Sequence, residues 1–200
     1  MHKVIAIAGL SGSGKTTLCN MLSMILPKSV VIHGDSYMLK SVGFYQKEFE
    51  EIFKESYSSD YVYCFRKAVS QAAPEQYEKY ILLSCPFIES EITKALNKVK
   101  ENKDIEYLLV CWSGLPAFSA IWDNACFRII VQAASEKERN ERLEMRAQKE
   151  GIPSPNASKV RNEPFNTILK SVKSDFIITN YYDGRIMATV DEICSKIYKL

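Results

Sequence analysis

The sequence predicts an α/β fold, a single three-layer domain in which a five-stranded parallel sheet carries helices on both faces. Three observations predict it. The chain has 200 residues, and single domains run to about 100–200. Short apolar runs alternate with longer stretches of helical periodicity, the pattern of a covered parallel sheet. The composition, 46% hydrophobic and 25% charged, is that of a chain with a core rather than a disordered one.

The elements follow in order. Residues 4–8 (Val-Ile-Ala-Ile-Ala) are wholly apolar, as a strand buried on both faces must be. In residues 16–26, Leu18, Met21, Leu22 and Ile25 fall at helical spacing, and Pro27 ends the run. Residues 30–32 read as a second strand. Residues 44–55 read as a helix on Phe44, Phe49, Ile52 and Phe53. Helices are expected over 61–73, with Pro74 as a breaker, and over 76–84. Pro86 then opens another helix, with Ile88, Ile92, Leu96 and Val99 on one face. Tyr107–Cys111 and residues 127–131 are the third and fourth strands. Residues 136–150 form a charged helix that sets Arg139, Arg142 and Arg146 on one face. Residues 151–164 hold Pro153, Pro155 and Pro164 among polar neighbours and read as a loop. Residues 176–178 are the fifth strand. Ile186, Val190, Ile193 and Ile197 mark a closing amphipathic helix. No internal repeat is visible, so the chain reads as one domain over 1–200. Within it lie a helical insertion for an acceptor (about 38–104) and a mobile lid (about 139–165).

Composition also excludes partners. The net charge of +2 is too small to hold nucleic acid by bulk attraction. None of the six cysteines forms a C-x-x-C pair, so neither a zinc site nor a redox motif is signalled. Reduced structural thiols fit a cytoplasmic protein. The apolar N-terminal run is too short for a signal peptide. No stretch approaches the ~20 apolar residues of a membrane span. The oligomeric state stays open.

The chemistry begins at Gly9-Leu10-Ser11-Gly12-Ser13-Gly14-Lys15-Thr16, which matches G-x-x-x-x-G-K-[ST] at every fixed position. It follows an apolar strand and precedes an amphipathic helix, the context the motif needs. Its glycines let successive N–H groups turn inward around phosphate oxygens, and the helix N-terminus adds partial positive charge. Lys15 reaches the β and γ phosphates, and the Thr16 hydroxyl holds magnesium. Gly9, Ser11, Gly12, Ser13, Gly14, Lys15, Thr16 and Thr17 are therefore the candidate binding residues for ATP and Mg2+. The fold is expected to be that of P-loop nucleoside triphosphate hydrolases.

Absences narrow the use of the nucleotide. A GTPase would carry N-K-x-D, and the corresponding strand end here is Ile178-Thr179-Asn180-Tyr181. The chain is short for a motor or transporter ATPase. A small kinase remains. Asp35 lies just past the second strand, where carboxyl ends of strands face the ligand crevice. Three roles are open to it: base toward an attacking hydroxyl, magnesium ligand through water, or helix cap before Ser36. Arg142 and Arg146 are candidates for neutralising the transferring phosphoryl group, or they form a solvated face paired with nearby glutamates.

These residues resemble small P-loop metabolite kinases, dephospho-coenzyme A kinase and the uridine kinase group. Asp35-Ser36-Tyr37 is similar to the Asp-Ser-Phe/Tyr of uridine kinases, whose Asp is the proposed base. Residues 86–92, 131–146 and 174–180 resemble stretches of dephospho-CoA kinases. By that likeness Asn180 lies near the adenine, and Arg66 falls in the segment that contacts the acceptor. Tyr37 is a further acceptor candidate. The chain departs from both families after the third strand. Cys111-Trp112-Ser113-Gly114 contains no acid, and Ser113 stands where uridine kinases have Glu. The resemblance implies an ATP-dependent phosphotransferase acting on a hydroxyl of a small ribose-containing acceptor, dephospho-CoA first and a nucleoside second. The missing acid favours a third possibility, a non-catalytic ATP-binding protein.

Overall fold

The computed structural model describes residues 2–152 and 157–200, with side chains in all of these except 157–163. Five strands, β1 (Lys3–Ala8), β2 (Ser29–His33), β3 (Tyr107–Cys111), β4 (Phe127–Ala133) and β5 (Phe176–Asn180), form one sheet in the order β2-β3-β1-β4-β5. Every pairing is parallel. The sequence-based expectation of a five-stranded parallel α/β sheet is met.

Alternate residues of each strand face opposite cores, because the side-chain period of a strand is two. Val4, Ala6, Ala8, Leu108, Val110 and Ile130 point to one core. Ile5, Ile7, Leu109, Cys111, Ile129 and Val131 point to the other. The second core is closed by α1 (Lys15–Ile25) and α9 (Ile186–Tyr198). The first is closed by the helices between β2 and β3, α2 (Gly34–Phe44), α3 (Gln46–Phe53), α4 (Tyr61–Gln71) and α5 (Pro74–Lys100). The short α6 (Ser119–Trp122) and α8 (Ala157–Ser171) complete that layer, and α7 (Glu136–Lys149) follows β4.

Three expectations need correction. Residues 34–44 form the helix α2, which the periodicity of 44–55 does not reveal. Its buried face is Gly34, Met38, Ser41 and Val42, correctly spaced but half of it lacking large apolar side chains. The helix boundary expected at Pro86 is absent, for α5 runs unbroken through it. Pro86 and Leu82, whose carbonyl loses its N–H partner to the proline, both have solvent-exposed side chains, and water can satisfy that carbonyl. Ile81, Ser84, Ile88 and Ile92 stay buried on one face, so packing holds the helix together. Finally, the loop expected over 151–164 is helical from 157 onward, with Pro164 inside α8. Residues 153–156 of that loop lie outside the described residues.

Among the described residues no helix is long and apolar enough to cross a membrane.

Candidate functional site

The loop from Gly9 to Gly14 joins β1 to α1 and is shaped by its glycines. Gly12 and Gly14 have φ of 80° and 102°, where a side chain is strained. A Cβ on Gly14 would collide with the Asn180 amide, and one on Gly9 with the Val131 carbonyl. The backbone there is pressed against β4 and the end of β5.

Side chains from three directions hold this loop. Lys15, only 7% exposed, donates from Nζ to the Leu10 carbonyl at 2.9 Å. Burial pulls its pKa below the ordinary lysine value, and the Asp35 charge acts in the opposite sense. Asn180 donates to the Ser13 carbonyl at 2.9 Å and accepts from the Tyr182 N–H at 2.9 Å. The Tyr182 hydroxyl donates to the Gly12 carbonyl at 2.8 Å. Arg139, 4% exposed, donates to the Ser11 carbonyl at 3.2 Å. The carbonyls from Leu10 to Ser13 are thereby engaged, and the Ser13 N–H closes a turn by donating to the Leu10 carbonyl at 3.1 Å. Ser13 Oγ is buried with no hydrogen-bond partner among the described residues.

Two clefts meet over this loop. The first is lined by Ser11, Gly12 and Gly14 of the loop, by Lys15, Thr16 and Thr17 of α1, and by Asp35, Arg142, Arg146, Asn180 and Tyr182. The second runs toward the helical layer. Its floor is Met38, Leu39, Phe65, Tyr77, Trp112 and Phe165, and its polar groups include Arg66 and Ser113. Ser11, Asp35 and Arg146 line both clefts. Asp35 stands in the first turn of α2, whose N-cap is His33, so its own position is not that of a cap.

Trp112, at the end of β3, shapes the second cleft. It stacks on Phe118 with centroids 5.1 Å apart and meets Phe165 edge-on at 5.5 Å. A Cβ on Gly34 or Gly114 would collide with its ring. Among the described residues there is no cluster of three or more His, Cys, Asp or Glu able to hold a metal. Thr16 and Asp35 line one cleft, a set that suits magnesium only when phosphates and waters complete its octahedron.

The structure thus gathers Ser11, Gly12, Gly14, Lys15, Thr16, Thr17, Asp35, Arg142, Arg146 and Asn180 around one cleft, with Arg66 in the adjoining one; Ser13 is buried beneath it, and Gly9 does not line it. Tyr37 lines neither; it packs against the core under the Lys40 ammonium, 5.3 Å from its ring. Sequence reasoning passed over Tyr182, which carries the Arg142 guanidinium 4.2 Å above its ring, and Arg139 as a P-loop anchor. Arg139 shares the helical face of the lid arginines, so nothing in its spacing distinguishes a buried role.

No protein-family model matches the sequence. A segment of 52 residues is 52% identical to uridine kinase of Borrelia hermsii and 48% identical to that of Borreliella burgdorferi strain B31. It covers 26% of this chain and 25% of each relative, so the match spans a quarter of the curated relatives' length. Among solved structures, the Thermus thermophilus protein TT1252 superposes over 100% of this chain and 98% of its own, with a TM-score of 0.62 at 16% identity. Shikimate kinase from Acinetobacter baumannii superposes over 100% of this chain and 94% of its own, with a TM-score of 0.51 at 13% identity. At these identities the likeness is one of fold, an α/β domain built on a parallel sheet.

Proposed function

We propose that the chain is an ATP-dependent kinase that transfers the γ-phosphoryl group to a hydroxyl of a small acceptor. One observation carries the reading: the first cleft, read as the phosphate site, and the second share Ser11, Asp35 and Arg146 as lining residues. A donor held by the loop and an acceptor lying on the Trp112 floor would meet at Asp35.

The loop N–H groups and Lys15 bind and orient the phosphates; positioning and electrostatics are most of what this chemistry needs. Thr16 and Asp35 would hold the magnesium that accompanies ATP, which would supply positive charge to offset that of the phosphates. Asp35 accepts the acceptor's hydroxyl proton through its carboxylate. Arg142 and Arg146 bring positive charge from α7 to the transferring group. The apolar floor and α8 keep water from the same position.

For the acceptor, the half-identical segment shared with uridine kinases favours a nucleoside, and the ribose hydroxyl is then the group phosphorylated. Dephospho-CoA is the second reading, favoured by the likeness of residues 174–180 to that family. ADP release measured with uridine, cytidine and dephospho-CoA side by side separates the two. Asp35→Asn is expected to lower transfer about 10²- to 10⁴-fold while Mg-ATP still binds. Transfer unchanged by that substitution removes Asp35 as the base. ATP binding without transfer to any acceptor would identify a non-catalytic nucleotide-binding protein instead.

A further inference from the structure

At the end of α7 one carboxylate joins the two sides of the site. Glu150 Oε1 accepts from Arg146 Nε at 3.1 Å, and Glu150 Oε2 lies 2.7 Å from Arg66 Nη1. Arg146 lines both clefts and Arg66 lines the second. Glu150 itself is half-buried, with its side chain 29% exposed. Its backbone is fixed as the C-cap of α7. Gly151 follows in the left-handed conformation at φ 67°, the Ile152 N–H donates to the Ala147 carbonyl at 2.9 Å, and the Ile152 side chain is buried.

Local rules give no reason for an acid here. A carboxylate at a helix C-terminus faces the negative end of the dipole, and Arg before Glu at i, i+4 is the weaker order of such a pair. A residue placed against its local preference is expected where a site requires it. We propose that Glu150 is a positioning residue that parks Arg146 against α4, in competition with the phosphates for the same guanidinium. This rests on the phosphate cleft binding Mg-ATP as described above. Without nucleotide, Glu150 neutralises Arg146 and ties the lid helix to the acceptor helix. Phosphate oxygens draw Arg146 into the cleft and release that arm. Because the second oxygen holds Arg66, anything that draws Arg66 away changes the hold on Arg146 as well, which couples acceptor side to donor side.

The test is the Mg-ATP dissociation constant, by titration calorimetry, for the unsubstituted chain, Glu150→Gln, Arg146→Gln and the double variant. Glu150→Gln is expected to bind Mg-ATP about two- to fivefold more tightly, the worth of one partly exposed ion pair. The gain should vanish when Arg146 is already Gln. Damage to the lid would weaken binding, so the sign separates competition from a structural role. Equal or weaker binding by Glu150→Gln overturns the proposal, as does a gain that persists in the double variant, which would reflect only the general field. If the unsubstituted chain binds no Mg-ATP, the kinase reading falls and this inference with it. If it binds but Glu150→Gln changes nothing, only the inference falls. Amide exchange without nucleotide gives a second readout. Glu150→Gln is expected to speed exchange in the last turn of α7, and unchanged exchange there overturns the tie to α4.

Discussion

Gly14 shows how narrowly the residues of the loop are constrained. Its φ of 102° lies where side chains are strained, and a Cβ would strike Asn180, the side chain that also holds the Ser13 carbonyl. Gly12 is strained in φ as well, but its Cβ would meet Leu143 Cγ and Arg139 Cγ of α7, 3.0 and 3.2 Å away, rather than the loop's own support at Asn180. Gly14→Ala should therefore damage the loop itself, with a loss of about 1–3 kcal/mol in stability and a fall in Mg-ATP affinity. Gly12→Ala should displace α7 more than the loop. Thermal melting and nucleotide titration of both variants check the difference, and the expectation fails if Gly12→Ala loses Mg-ATP affinity as severely as Gly14→Ala.

Helix α5 carries Pro86 in its interior, where proline removes one backbone hydrogen bond and costs about 3 kcal/mol relative to alanine. The exposed setting of Pro86 softens that cost, because water reaches the orphaned carbonyl. Pro86→Ala should stabilise the protein by about 1–3 kcal/mol, a rise of about 2–4 °C in melting temperature per kcal/mol. An unchanged or lower value would mean that Pro86 itself helps to seat Ile88 and Ile92. This helix also marks where the sequence can be read and where it cannot. The strands were legible because both faces of a parallel sheet are buried, and runs such as Tyr107–Cys111 must then be apolar throughout. The loop was legible because positive φ and close packing against β4 and β5 demand glycine at Gly9 and Gly14, the fixed glycines of a motif with known spacing. Helix α2 was not, since Gly34 is small for packing against Trp112 and Ser41 bonds Tyr80 at 2.8 Å, neither of which adds to an apolar stripe. Arg66, Arg146 and Glu150 come together only through the packing of α4 beside the end of α7. No spacing in the sequence encodes that meeting.

At the scale of the whole molecule, the two halves of the candidate site belong to different parts of the sheet. β1, β4 and β5 position the loop, Arg139, Asn180 and Tyr182, while β2 and β3 position Asp35, Trp112 and the helices that follow β2. Lys15 sits between them, buried and with its charged form disfavoured by desolvation. For a lysine whose pKa falls on folding, the charged form weakens the folded state, and stability rises as pH rises from the lowered value toward the unfolded one. On the proposed function, Mg-ATP would reverse the balance by bringing the opposite charge to Nζ. Binding to the folded chain alone at one hundred times the dissociation constant adds about 2.7 kcal/mol, a rise of about 5–10 °C for a protein of this size. Lys15→Met should abolish most of that rise while leaving the melting temperature without nucleotide equal or higher, since a buried ammonium has been replaced by a thioether of similar length. A variant that melts lower without nucleotide would show that the Lys15 bond to Leu10 supports the fold more than burial of its charge opposes it.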